Sequence, residues 1–276
     1  MPPSETVHDQ LQLRFNDVPA YGGQTPDAWQ TIAGRQSCRS YTGDPVDPAL
    51  LRQLCALALS SPTKSDLQQR DIVIVSDPDK RDAINTLFPD STWIADAPVF
   101  LIFCGNNRRL RQVSDGHGIP FENDHLDAFF NAAVDAGIAL SAFTIAAEAA
   151  GLGTCPISTI RDHVDLIDDL LELPYWVFPV AGMTVGWPGR TPRINLRLPL
   201  AATVHSDTYN EDAQQPAIEA YDARRAELRP YGSQRDPDRF GTRDPYTWSD
   251  DKARQYAEPQ RTDFGAFVRK KGFDLT

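Results

Sequence analysis

The four cysteines, Cys38, Cys55, Cys104 and Cys155, form no C-x-x-C pair, so neither a thiolate zinc site nor a redox dithiol is signalled. Cys55 and Cys104 stand in apolar runs and read as small core residues. A reducing cytoplasm is the expected home. His117, His125, His163 and His205 share no ligand spacing, so the pattern holds no metal site. An excess of positive charge is also missing: 27 Lys and Arg face 38 Asp and Glu, a net charge of -11. That argues against nucleic acid or an anionic membrane as a bulk partner. There is no G-x-G-x-x-G after a first strand and no Walker loop, which sets aside nucleotide sites of those kinds. Met1 to Asp17 is polar and lacks the apolar stretch of a signal peptide. The longest apolar run, Ala128 to Ala150, is broken by Asn131, Asp135 and Glu148, so it reads as a buried helix and not a membrane span.

What is present is ordinary in bulk. The chain has 276 residues, 41% hydrophobic and 24% charged, enough to bury a core as one large domain or two small ones. Residues 1–24 read as an N-terminal arm, mobile or draped. Thr25-Pro26-Asp27 and Asp47-Pro48 are helix starts, opening helices that end at Gly34 and near Ser60. Asp71 to Ser76, Pro98 to Cys104 and Trp176 to Trp187 are apolar runs of the buried-strand kind. Between the first two, Asp77-Pro78 caps a helix to about Phe88. Asn106 to Pro120 reads as an irregular loop with one helical turn. Asp124 to Ala150 is the longest helix, with Gly151 as its left-handed cap. It is apolar nearly all round and must be buried on several sides, a second copy being a natural cover. Gly153 to Thr159 is a short strand entering a loop. Helices follow over 161–172, 216–228, 248–257 and 261–272, with an extended stretch over 188–199 and a polar loop over 229–246. Interleaved strands and helices give an α+β (mixed α/β) class.

Against the acidic background, Arg35-Gln36-Ser37-Cys38-Arg39 stands out. In extended chain, positions 35, 37 and 39 point the same way. Two guanidiniums with a hydroxyl between them make a small anion grip suited to phosphate oxygens. The same pattern also arises by chance as a solvated basic loop.

Several motifs in order resemble the flavin-dependent nitroreductase family, in particular its larger, NADPH-preferring, oxygen-insensitive group. They are Arg35-Gln36-Ser37-Cys38-Arg39 with Pro45-Val46, the hydroxyl-rich Ser61-Pro62-Thr63-Lys64-Ser65-Asp66-Leu67-Gln68 before a strand, Ala149-Ala150-Gly151-Leu152-Gly153-Thr154, Val185-Gly186-Trp187-Pro188, and Arg197-Leu198-Pro199. The resemblance runs from about residue 25 to the C-terminus. It implies a central, mostly antiparallel sheet flanked by helices in an intertwined homodimer. It implies an FMN-binding core over 25–200 and a C-terminal helical extension over 201–276 that packs on the core and the partner subunit. FMN would bind non-covalently at the dimer interface. Arg35, Gln36, Ser37, Arg39 and Arg197 would hold its phosphate and ribityl chain, and Thr63, Ser65 and Gln68 would come from the partner. Pro156, Ile157, Ser158 and Thr159 would lie along the ring, and Ser91 would border ring and substrate. Hydride would pass from NADPH or NADH through flavin N5 to a nitroaromatic, quinone or free flavin by a ping-pong mechanism. The flavin carries the chemistry, so no catalytic side chain is named.

The chain departs from the family pattern at Gln36, where an arginine is usual, at Asn195, where a lysine is usual, and at Ser158-Thr159, where two glycines are usual. Charge-assisted bonds contribute about 1.5–3 kcal/mol each, so Lys64, Arg190 and Arg193 are candidates to restore the missing charge. Arg235, Arg239 and Arg243 form a cluster that either binds the 2′-phosphate of NADPH or belongs to a solvated loop. Other readings are a flavin-cleaving or dehalogenating member of the superfamily and a non-enzymatic FMN-binding protein.

Overall fold

The computed structural model describes residues 6–190 and 193–276. The first five residues of the expected arm, and Thr191 and Pro192 in the expected extended stretch, lie outside the described residues. In chain order the elements are α1 (Val7–Phe15), α2 (Asp27–Gly34), α3 (Pro48–Leu59), β1 (Arg70–Val75), α4 (Pro78–Thr86), α5 (Trp93–Asp96) and β2 (Val99–Asn106). Then come α6 (Arg108–His117), α7 (Leu126–Ala149), β3 (Gly153–Ile157), α8 (Val164–Leu171) and β4 (Val177–Gly186). The last helices are α9 (Gln214–Leu228), α10 (Pro237–Phe240), α11 (Trp248–Tyr256) and α12 (Phe264–Lys270).

Two compact units result, one from residues 1–34 and 194–260, the other from residues 35–193 and 261–276. The second holds the sheet, in the order β1-β2-β4-β3. Every pairing of its strands is antiparallel. β2 is buried along nearly its whole length, and its alternate residues serve two cores, as the two-residue repeat of a strand requires. Leu101 and Phe103 pack with Leu51 and Leu54 of α3 and Ala139, Phe143 and Ala147 of α7. Phe100 and Ile102 pack on the opposite face with Ile84, Ile94, Ile160 and Ile167. Each such side chain contributes about 1.5–3 kcal/mol on burial. A third cluster joins Phe178 of β4 to Phe267, Val268 and Phe273 in and after α12. Lys271 anchors that segment: its Nζ donates to Asp168 at 2.7 Å and to the Leu173 carbonyl at 2.7 Å.

The α7 helix is long and apolar enough to cross a membrane by length and composition. Its alanines at 128, 132, 136, 139 and 147 are buried, and their small size lets α3 and the sheet approach closely. The opposite face is open: Leu126, Phe130 and Val134 are 49%, 59% and 42% exposed, and a Cβ at Gly137 would meet nothing within 4 Å.

In the first unit, the segment read as an arm carries α1. Its start is a capping box in which Thr6 and Asp9 exchange hydrogen bonds. Arg14 near its end is buried, and its guanidinium donates to the Ala33 carbonyl at 2.8 Å and the Asn195 carbonyl at 3.1 Å. The Arg14 carbonyl in turn accepts from the Arg197 backbone N–H at 2.7 Å. α11 opens on a second capping box, Thr247 with Asp250.

Three local expectations are corrected. The stretch 106–120 is not an irregular loop: it holds the ten-residue α6, stopped by the left-handed Gly118. Its polar composition hid a helix anchored by one buried residue, Arg111. The short strand from Gly153 ends at Ile157 and enters a 3₁₀ turn over Ser158–His163, so α8 starts at Val164 and not at residue 161. The polar loop after α9 includes the single-turn α10, with Pro237 at its first position.

Candidate functional site

The opening motif lies along the outer edge of β3. Ser37 and Thr154 form a parallel bridge, and the Cys38 N–H donates to the Thr154 carbonyl at 2.8 Å. Extended chain alternates its sides, so Cys38 is buried while Arg39 is exposed. Burial pushes the Cys38 and Cys155 thiols up, which keeps both as neutral packing groups and not nucleophiles. All four cysteines are free. Downstream, the Tyr41 hydroxyl bonds the Cys38 carbonyl at 2.8 Å and meets Thr184 Oγ1 at 2.8 Å. These contacts fix the exit of the motif on β4.

Glu148, in the last turn of α7, holds the entrance. Its carboxylate accepts from the Gln36 N–H at 3.3 Å and from Thr154 Oγ1 at 3.2 Å, and it stands 4.0 Å from Arg35 Nη1. Sequence reading used Glu148 only as a break in an apolar run. In the fold it ties α7, β3 and the motif together. Trp93, at the start of α5, was missed as well. The Arg39 guanidinium lies over its ring at 5.6 Å from the centroid, and Ser91 sits two residues before it. The Ser91 backbone lies in the turn before α5, its N–H donating to the Phe88 carbonyl at 2.9 Å.

Along β3, Pro156 is exposed, Ile157 buried, and Ser158 and Thr159 exposed at the opening of the 3₁₀ turn. Pro156 has no N–H to leave unpaired, which suits an edge strand. No side chain caps the turn that follows. Arg35, Gln36, Ser37, Arg39 and residues 156–159 are therefore brought together by one sheet edge.

Thr63, Ser65 and Gln68 are elsewhere in the same unit. They precede β1, the opposite edge strand of the sheet. Their loop is held by Asp135 of α7, which is 1% exposed. It accepts from Thr63 Oγ1, from the Lys64 N–H at 3.3 Å and from the Gln69 N–H at 3.0 Å. Ser65, Asp66 and Gln68 take φ of 48°, 57° and 52°, a left-handed path costly for side-chain-bearing residues. Residues 135 and 148 are 13 apart on one helix, about 20 Å at 1.5 Å per residue. The two groups cannot close on one phosphate within a single chain. Beside the loop, a cleft of about 460 Å³ is lined by Lys64, Ser65, Gln69, Asn107 and Phe121 among others.

The remaining expected site residues belong to the first unit. Arg197 is exposed in extended chain, between Asn195 and the Pro199 turn. Arg235, Arg239 and Arg243 each meet a carboxylate: Asp251 at 3.0 Å, Glu258, and Asp250 at 3.8 Å. Arg243 lines a cleft of about 590 Å³ together with Tyr231 and Tyr246. Of the candidate charge donors, Lys64 pairs with Asp127 at 2.9 Å, and Arg190 is close enough to Cys38 to act on it electrostatically.

Comparison with known proteins bears on the whole chain. The profile described as "Nitroreductase family" matches residues 32–187, and that described as "Nitroreductase family, C-terminal domain" matches residues 196–276. The FMN reductase [NAD(P)H] of Bacillus subtilis (strain 168) is 34% identical over 89% of this chain and 97% of its own length. The oxygen-insensitive NADPH nitroreductase of Salmonella typhimurium is 28% identical over 88% of this chain and 97% of its own. The solved structure of NfrA2 from B. megaterium superposes with a TM-score of 0.82 at 34% identity, covering 91% of this chain and 100% of that one. Sheet order, edge-bound motif and these matches together show that the chain belongs to the nitroreductase family.

Proposed function

We propose that this protein is an FMN-dependent oxidoreductase that uses NAD(P)H to reduce small acceptors such as nitroaromatics, quinones or free flavin, in alternating half-reactions. The observation that carries the reading is the Ser37–Thr154 bridge. It lays an arginine–hydroxyl–arginine series beside the strand end and the uncapped turn at residues 156–159.

The residues fit the cofactor. Arg35 and Arg39 supply cationic forks for a phosphate and Ser37 a third donor. Arg197 joins them by the family resemblance. Ser158 and Thr159 are exposed where the strand gives way to the 3₁₀ turn that no side chain caps, at the place expected for the ring edge. Bound FMN would supply the two-electron chemistry, accepting hydride at N5 and passing it to the acceptor. The protein's part is to bind, align and shield, and to place cations and N–H donors against developing negative charge.

A homodimer completes the reading. Thr63, Ser65 and Gln68 sit at the sheet edge opposite the motif, so a second copy would present them to it. The exposed Leu126–Phe130–Val134 face of α7 gives that copy an apolar surface. One of Lys64, Arg190 and Arg193 would restore the charge absent at Gln36 and Asn195. Arg235, Arg239 and Arg243 would meet the 2′-phosphate of NADPH, and Arg243 is more loosely paired with its carboxylate than Arg235. Four free thiols suit a reducing cytoplasm.

The test is direct. Purified protein should be yellow or become so with FMN, bleach on anaerobic addition of NADPH, and regain colour with a quinone or nitroaromatic. Protein that binds FMN but does not bleach with either nicotinamide cofactor would leave a flavin-binding protein and no reductase. Protein that refuses FMN at micromolar concentration would end the proposal.

A further inference from the structure

A buried acid at the centre of an apolar helix is costly unless it is fully used. Asp135 is 1% exposed and stands between Val134 and Ala136 on α7. Its neighbours on that helix, Ala132, Ala136 and Ala139, are buried small residues, and an alanine here would fill the turn just as well. Its partners all come from one place, the segment that leads into β1. Thr63 Oγ1 donates to Oδ2, the Lys64 N–H to Oδ1, and the Gln69 N–H to Oδ2. Arg70, itself 5% exposed, stands 3.6 Å away as counter-charge and donates its Nη2 to the Leu59 and Ser61 carbonyls at 2.8 Å each. Thr63 relays the hold, because its hydroxyl also accepts from the Gln68 N–H at 2.9 Å.

The bonds bracket the residues that carry strain. Thr63 and Lys64 lie on one side and Gln69 on the other of Ser65, Asp66 and Gln68, the positions with positive φ. A polar loop free in water would relax from such a path. Pinned at both ends, it turns Ser65 and Gln68 outward, where both are exposed. The same stretch of α7 presents Phe130 and Val134 to the outside. The loop therefore stands at the margin of the apolar face that a second copy would cover.

We infer that Asp135 is a positioning residue that presets the Thr63–Gln68 loop in one subunit for the FMN held by Arg35 and Arg39 of the other. The inference rests on the functional reading above and adds the group that shapes the partner-donated half of each site. Asp135 touches no ligand. It replaces the ordering of a loop at the moment of binding with an order already present, which is where preorganised sites gain affinity.

The experiment follows FMN binding by quenching of flavin fluorescence, together with subunit stoichiometry. Asp135→Asn should weaken FMN at least tenfold while the protein stays dimeric. Thr63→Val, which removes only the hydroxyl donor, should weaken it severalfold and serves if Asp135→Asn fails to fold. The decisive sample is a mixed dimer of one Arg35→Ala subunit and one Asp135→Asn subunit, isolated with different tags. One of its sites carries both changes and the other carries neither, so one FMN per dimer should bind with wild-type affinity. A general loss of folding in the Asp135→Asn subunit would not restore that site. Mixed dimers without a tight site, or Asp135→Asn protein that binds FMN like wild type, overturn the role of Asp135 alone. Wild-type protein that takes no FMN overturns the functional reading and this inference with it.

Discussion

Gly153 and Cys38 meet where a larger residue has no room: a Cβ at position 153 would lie 2.6 Å from both the Cβ and the Sγ of Cys38. Cys38 cannot retreat without breaking its bond to the Thr154 carbonyl. Gly153→Ala should therefore lift the whole motif from the edge of β3. Overpacking of this kind costs about 1–3 kcal/mol. Thermal denaturation and FMN titration should fall together. Unchanged FMN affinity would show that the edge contact is dispensable.

Arg111 and Asp124 give a pH test. Arg111 Nη1 and Nη2 grip the Asp124 carboxylate at 3.0 and 2.6 Å, and this bond, against a partial burial, holds the Asp124 carboxyl below the usual carboxylate range. A lowered native pKa contributes stability above the ordinary value of about 4 and loses it as the pH falls through the native value. The Asp124 side chain is 40% exposed, so solvent screening limits the gain to about 1 kcal/mol. Asp124→Asn should show a lowered Tm that is constant well above the ordinary carboxylate value, with the gap to wild type closing as the pH falls through the lowered native value. A gap that widens in acid would contradict the assignment.

The outward face of α7 can be probed by charge. Phe130→Glu with Val134→Glu places two like charges on the apolar stripe and removes nothing from the core, since both residues are more than two-fifths exposed. Sedimentation should show a folded monomer, with FMN affinity reduced at least tenfold under the proposal that each site is shared by two subunits. A dimer that persists would move the interface elsewhere.

Lys271 and Asp168 are a buried pair, 7% and 10% exposed in their side chains. Burial pushes the Asp168 carboxyl up, with Lys271 opposing. Lys271→Ala would leave the acid unpaired at a cost of about 3–5 kcal/mol. The variant should lose further stability as the pH rises through the raised Asp168 value, since the native state then gives up a proton that it binds better than the unfolded chain. Adding Asp168→Asn should recover much of the loss, measured by urea denaturation across pH.

Much of the fold was legible because its signals are local. Asp47-Pro48 and Asp77-Pro78 mark helix starts wherever they stand, and the apolar runs of β2 and β4 have no other comfortable place than the middle of a sheet. The motif at residues 35–39 was legible through residue types, and its docking on β3 follows from the alternation that buries Cys38. Asp135 and Glu148 were visible only as interruptions. Their meaning depends on which loops come back to them from 72 and 112 residues away, and a helical period carries no such information. Helix α6 escaped for a related reason. Its single buried residue, Arg111, is held by Phe121, Trp176 and Asp124, partners outside any short window.

The bond from the Arg197 amide to the Arg14 carbonyl has a practical side. The backbone on which Arg197 rides is seated on a helix from the far end of the polypeptide, so an expression version trimmed back to the first family motif would remove the seat and keep the residue. Such a shortened protein would keep all four strands of the sheet and lose the carbonyl that the Arg197 amide donates to. Comparisons of kinetic constants among preparations of this chain have meaning only when their starting residues agree.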